Sequence, residues 1–156
     1  ADALNHVAAL PALQQALRER GQARGAAATV ITPHPLEAAR LLGTGTHDVQ
    51  SDRVAAAQRL AQDLNLICVL KGSGTVVAMP GQTPVINPTG NARLATAGTG
   101  DVLAGWLGAR LAAQETAAFE ATCNAVYQHG RTADDWSASD DGTLTASGLA
   151  RHLGRY

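Results

Sequence analysis

Gly98 and Gly100 flank Thr99 immediately before Asp101, within the run Asn87-Pro88-Thr89-Gly90-Asn91-Ala92-Arg93-Leu94-Ala95-Thr96-Ala97-Gly98-Thr99-Gly100-Asp101-Val102-Leu103-Ala104-Gly105. This segment is the best equipped for chemistry in the chain. Glycines let a backbone approach a ligand closely, and where a loop becomes a helix the free N–H groups point outward with the positive end of the helix dipole. Such a turn accepts a phosphate or a developing oxyanion. Asp101, in the first turn of the following helix, adds a carboxylate suited to general-base work. The same residues could be no more than a helix cap, since Asp is favoured in a first turn. A cap alone does not explain a polar loop that ends in a helix staying apolar for about four turns.

Two further loops carry polar side chains after apolar strands. Lys71-Gly72-Ser73-Gly74-Thr75 follows the most hydrophobic stretch of the chain. Ligands of open α/β sheets bind outside the carboxyl ends of strands, where a Lys meets phosphate oxygens as a point charge. Ser73 and Thr75 add hydroxyls there, and the two glycines bring the main chain near. The order of residues is not that of a Walker A loop. Alone, the segment reads as a hairpin with a solvated Lys; beside the Gly98–Asp101 turn it reads as a phosphate contact. In Thr32-Pro33-His34-Pro35-Leu36-Glu37, two prolines restrict the backbone around His34 and so fix where its imidazole points. A stiff turn with a surface His and a dipole-stabilising Glu37 is the plainer reading of that loop.

Other candidates carry less. His129, followed by Gly130, Asp134 and Asp135, falls on a helix and reads as structural or solvated. No His/Cys/Asp set has metal-ligand spacing, so no metal site held by protein side chains is expected. There is no Gly-x-Ser-x-Gly elbow, and neither Cys68 nor Cys123 lies in an electropositive loop, which leaves nucleophilic catalysis unsupported. Trp106 and Trp136 read as packing residues.

Helices and buried strands must position these loops. Apolar residues from Leu4 to Leu17 follow a helical period over Leu4–Arg20, interrupted by Pro11 and ended by Gly21 and Gly25. Residues 26–31 read as a short buried strand, and Pro35 suits the first turn of a helix over Leu36–Leu42 that Gly43 stops. Ser51 is the expected N-cap of a helix over Asp52–Leu64. Leu66–Leu70 has the continuous apolar character of a strand covered on both faces. Strands over Thr75–Met79 and Thr83–Ile86 follow, then helices over Gly100–Ala113, Thr116 to about Asp135, and Thr145–Leu153. This alternation predicts an α/β domain with a largely parallel sheet, one domain or part of one.

Composition bounds the function. The chain has 156 residues, 12 Lys+Arg against 13 Asp+Glu, 46% hydrophobic and 3% aromatic residues. A near-neutral balance argues against nucleic-acid or membrane-surface partners, both of which call for a basic field. The sequence contains no apolar run long enough for a membrane span and no visible secretory signal. Two unpatterned cysteines fit a reducing cytoplasm.

Thr32–Glu37, Lys71–Thr75, Asn87–Asn91 and Gly98–Gly105, preceded by Ala1-Asp2-Ala3-Leu4-Asn5, together resemble the ADP-dependent (S)-NAD(P)H-hydrate dehydratase family. This is the carbohydrate-kinase-like domain of ribokinase fold that repairs hydrated nicotinamide cofactors. The resemblance implies a three-layer ribokinase-like domain over residues 1–156 and a hydro-lyase acting on hydrated NADH or NADPH. It implies that His34 and Asp101 contact the hydrated cofactor, with Asp101 catalytic. Lys71, Gly72, Ser73, Gly74, Thr75, Gly98, Thr99 and Gly100 are implied to surround the adenine nucleotide. ADP is the implied co-substrate, with Mg²⁺ bound mainly through its phosphates. Leu36 departs from the small residue that the family usually places before the Glu. The family domain is also longer, so the chain is expected to be its C-terminal part with the N-terminal portion missing. Such a piece should be poorly active alone and, because a partial sheet exposes an edge, prone to homo-oligomerise. Two rival functions share the same loops: an ATP-dependent kinase of a vitamin precursor or sugar, and a non-catalytic nucleotide-binding module. The Thr32–His34 segment favours the dehydratase.

Overall fold

The computed structural model describes residues 2–23, 27–113, 116–136 and 142–153. They fall into two compact units, Ala1–Ile86 and Asn87–Tyr156.

In the first unit, Pro11 interrupts the helical stretch as expected and divides it into α1 (Asp2–Ala9) and α2 (Pro11–Gln22). Leu10 is extended, at φ −120° and ψ 101°, as a residue before proline must be. Gly21 does not end α2 but lies within it: a Cβ there would run into the Asn65 carbonyl, so its absence lets the two backbones meet. Gly25 and Ala26 lie outside the described residues. Strand β1 is shorter than expected, Val30–Ile31, and is followed by α3 (Pro35–Leu42), which ends on Gly43 in the left-handed region at φ 64°. An unforeseen helix, α4 (Thr46–Ser51), absorbs Ser51 as its last residue. The cap of α5 (Arg53–Leu64) is therefore Asp52, whose carboxylate accepts from the Ala55 N–H at 2.9 Å.

The sheet has the order β1-β2-β3-β4, with β2 at Ile67–Leu70, β3 at Val76–Ala78 and β4 at Val85–Ile86. Only β1 and β2 run parallel; β2–β3 and β3–β4 are antiparallel. The expectation of a largely parallel sheet thus holds only in part, for one of the three strand pairings. Parallel neighbours need a crossover of a dozen or more residues, and the links at 71–75 and 79–84 are too short for one. Along β2, side chains alternate. Cys68 and Leu70 share a face with their partners Ala78 and Val76 and with Ile31, and pack there on Ala57, Leu60 and Ala61 of α5 and Ala38 and Ala39 of α3. Ile67, Val69 and Val77, on the opposite face, are equally buried. The edge strand β4 leaves Ile86 58% exposed.

The second unit is helical. After a 3₁₀ turn at Ala92–Ala95, α6 (Thr99–Ala113), α7 (Ala118–Asp134) and α8 (Ala146–Leu153) pack on one another. Ala133, Trp136, Leu144, Leu149 and Leu153 form their core, with Trp106 against it. Gly148 admits the Trp136 indole, which would lie 2.7 Å from a Cβ at that position. Among the described residues, no helix is long and apolar enough to cross a membrane.

Candidate active site

Because β1 and β2 are parallel neighbours, the loops that follow them leave the same end of the sheet. The Lys71 N–H donates to the Pro33 carbonyl at 2.9 Å and holds these loops side by side. His34 is the N-cap of α3: its Nδ1 accepts from the N–H groups of Leu36 (3.2 Å) and Glu37 (3.3 Å). In return, a Glu37 carboxylate oxygen accepts from the His34 N–H at 2.7 Å. This reciprocal pair is a capping box with His in the Ser/Thr role. An Nδ1 that accepts carries no proton, which leaves the ring hydrogen on Nε2, 3.5 Å from the second Glu37 oxygen. The plainer reading of this loop, a cap, is therefore real, yet 46% of the His34 side chain remains exposed for a ligand.

Leu36, larger than the residue usual at that place in the family, points outward at 44% exposed and leaves Glu37 undisturbed at 2%. Burial opposes the Glu37 charge, but the His34 N–H, the imidazole and the Lys71 charge together hold its carboxyl below the ordinary value. A carboxyl lowered in the folded state contributes stability above its unfolded value and loses it as pH falls through the folded one. Glu37→Gln should accordingly cost stability at neutral pH. The gap to the wild type should close as the solution is acidified below the ordinary glutamate value of about 4.3, as unfolding midpoints measured across pH would show.

The Lys71–Thr75 loop turns tightly, with Gly72 at φ 145° and Gly74 at φ 64°. The Thr75 hydroxyl accepts from the Gly72 N–H at 3.3 Å and donates to the Gly72 carbonyl at 3.0 Å, closing the loop on itself. Ser73 is exposed at the tip and Lys71 is half-buried. Beneath the loop lies Arg53, to which neither composition nor spacing draws attention.

In the second unit, Gly98 adopts φ 85°, in the left-handed region that favours glycine. Its carbonyl accepts from the N–H groups of Asp101 and Val102, each at 3.1 Å. The Thr99 hydroxyl turns inward to the carbonyls of Leu94 (2.7 Å) and Thr96 (2.8 Å), so this side chain shapes the turn. Among the described residues, none accepts from the N–H of Gly98 or Gly100, and the exposed Asp101 carboxylate has no hydrogen-bond or ion-pair partner. Unsatisfied N–H groups at a helix start are anion receptors. Thr96 also borders an open pocket of about 430 Å³ with Arg93, Gly142, Thr143 and Leu144.

Three residues of α7 hold this turn and the loop before it. His129, 6% exposed, places Nε2 2.9 Å from the Thr99 carbonyl. A carbonyl only accepts, so Nε2 carries the proton. The Asp134 carboxylate accepts from the Gly90 N–H (2.8 Å) and from the Asn91 amide (3.0 Å), while Thr89 donates to the Tyr127 carbonyl at 2.9 Å. His129 is structural, as its helical position suggested; its service to the Gly98–Asp101 turn needed the fold to become visible. The structure thus brings His34, Glu37 and Lys71–Thr75 together in the first unit, and Asn87–Asn91 and Gly98–Asp101 together in the second. Burial pushes the Cys68 thiol up to about 12 and raises that of Cys123, whose neighbour Glu120 adds to the effect. Neither is a nucleophile at neutral pH.

This fold and these loops define a ribokinase-like protein. A solved ribokinase-like superfamily protein from Enterococcus faecalis superposes with a TM-score of 0.71 at 29% identity, covering 93% of this chain and 49% of that one. The ADP/ATP-dependent NAD(P)H-hydrate dehydratase of Bacillus subtilis, co-crystallised with ATP/Mg²⁺, gives 0.74 at 35% identity over 94% and 59%. In sequence, the ADP-dependent (S)-NAD(P)H-hydrate dehydratase of Neisseria meningitidis is 46% identical over 134 residues, 86% of this chain and 43% of that protein. The NAD(P)H-hydrate dehydratase family profile matches residues 1–155, and the chain belongs to that family. It spans about half the length of the curated dehydratases from Neisseria and Bacillus, 43% and 51%.

Proposed function

We propose that this chain is part of a dehydratase that restores hydrated NADH and NADPH, in the S form, at the expense of ADP. The observation that carries the reading is the Gly98–Asp101 turn, where unclaimed amides and an unpaired carboxylate lie in adjacent residues of a chain from this family. Hydroxide is a poor leaving group from the reduced ring and phosphate is a good one. The terminal phosphoryl group of ADP passes to the ring hydroxyl and leaves AMP. The ring-nitrogen lone pair then expels phosphate to leave an iminium, and loss of a proton from the adjacent ring carbon to solvent restores the dihydropyridine.

In this scheme Asp101 accepts the hydroxyl proton as general base, while the Gly98 and Gly100 N–H groups stabilise charge on the migrating phosphoryl group. Lys71 meets the nucleotide phosphates, and the Gly72–Thr75 backbone and the Ser73 hydroxyl line the nucleotide. The exposed part of the His34 ring contacts the hydrated cofactor. Among the described residues, no three His, Cys, Asp or Glu side chains cluster to hold a metal. Mg²⁺ in this reading enters with the nucleotide, bound mainly through its phosphates and keeping its waters. When bound, it would neutralise phosphate charge. Free Cys68 and Cys123 suit a cytoplasmic setting, and the exposed β4 edge suits self-association.

Hydrated NADH, Mg²⁺ and ADP supplied to the protein test the reading through the absorbance of the reduced ring. Absorbance should return only when ADP is present, with AMP and phosphate released, slowly if the 156-residue chain acts alone. Accumulation of a phosphorylated product without return of absorbance would make the protein a kinase, and ADP uptake without turnover would make it a binding module.

A further inference from the structure

Arg53 stands at the first position of α5 with its guanidinium beneath the Lys71–Thr75 loop. Nη2 donates to the carbonyls of Leu70 (3.1 Å) and Lys71 (3.3 Å), the last residue of β2 and the first of the loop. Nη1 donates to the Gln50 side chain at 2.7 Å. The next residue, Gly72, lies flat on the same group: a Cβ there would sit 2.9 Å from Nη2 and 3.0 Å from Nη1. Gly72 is therefore glycine for two reasons, its φ of 145° and the cation below it.

Nε of Arg53 is buried without a hydrogen-bond partner among the described residues. A desolvated cation with an orphaned donor is a poor device for stability alone, since each buried unpaired polar group carries a free-energy cost. It suits a loop whose main-chain direction matters, because one arm of the rigid planar fork, Nη2, clasps two successive carbonyls while the other, Nη1, is held on Gln50.

We infer that Arg53 is the positioning residue of the nucleotide loop: its guanidinium, braced by Gln50 and clasping the Leu70 and Lys71 carbonyls under Gly72, sets the course on which Lys71 and the loop amides meet ADP. This rests on the nucleotide role proposed above for Lys71–Thr75. The bridge is built from Arg geometry, so neither a neutral amide nor a Lys replaces it.

Calorimetric titration of ADP with Mg²⁺, and separately of hydrated NADH, into the wild-type chain and its variants tests the inference. Arg53→Gln should weaken ADP by about tenfold or more, as loss of charge-assisted bonds does. Arg53→Lys should recover only part of that, and affinity for hydrated NADH should stay within about twofold in both, since a single-contact loss spread over the whole fold would move both ligands. Gln50→Ala, which removes the brace from an exposed position, should weaken ADP by a smaller factor and keeps the test decisive if Arg53→Gln does not fold. ADP affinity unchanged in these variants, full recovery by Lys, or equal losses for both ligands would overturn the inference while the functional reading stands. Failure of the wild-type chain to bind ADP would overturn both.

Discussion

Asp101→Asn should lower the rate of NADH restoration by about 10²–10⁴ while leaving ADP affinity nearly intact. Asn keeps the size and polarity of the side chain and removes the ability to accept a proton. The substitution is clean because the Asp101 carboxylate has no hydrogen-bond partner among the described residues, so no structural bond is lost with the charge. The turn itself is held elsewhere, through Gly98, the inward Thr99 hydroxyl and His129. Comparison of kcat with the dissociation constant of ADP checks the expectation. An Asn variant with full turnover would remove Asp101 from the mechanism, and one that no longer binds ADP would make the carboxylate a binding group instead.

Gly130→Ala should be the most damaging single methyl group in the second unit, at about 3 kcal/mol of stability. A Cβ at Gly130 would collide with the Thr89 hydroxyl and come within 2.7 Å of the Thr89 carbonyl carbon. Backbone cannot step aside as a side-chain tip can. The Asn87–Asn91 loop would have to lift, stretching the Thr89–Tyr127 bond and the Asp134 bonds to Gly90 and Asn91. Gly105→Ala in α6 provides the contrast. Nothing lies within 4 Å of a Cβ there, so Ala should stabilise the helix by about 0.5–1 kcal/mol through its higher propensity. Denaturant unfolding of the two variants should move in opposite directions, and a Gly130→Ala protein as stable as the wild type would show that the loop does not rest on α7.

Where local stereochemistry governs, the sequence was legible. Pro11 could only divide a helix, Pro35 could only open one, and Gly43 stops α3 in a left-handed conformation that few other residues adopt. The apolar run at Leu66–Leu70 marks a strand buried on both faces, and the glycines around Lys71 and Thr99 mark turns. The structure differs from the expectation where two local signals compete or where length decides. Ser51 and Asp52 are both good caps; the outcome turned on α4, which the short polar stretch Thr46–Ser51 does not announce. Sheet direction is not written in the strands themselves, because buried strands look alike whichever way a neighbour runs; the short links after β2 and β3 set it.

The chain by itself determined which loops could touch a phosphate, because that capacity lies in residue types within a few positions of one another: Gly98, Gly100 and Asp101, or Lys71 and its glycines. Only the tertiary structure decided what holds those loops still. Arg53 reaches carbonyls 17 and 18 residues away, His129 reaches Thr99 across 30 and Asp134 reaches Gly90 across 44. Hydrogen bonds over such separations depend on how helices pack, and no spacing along the chain encodes them. The groups proposed to react are therefore readable in the primary sequence, while what holds them in place belongs to the fold.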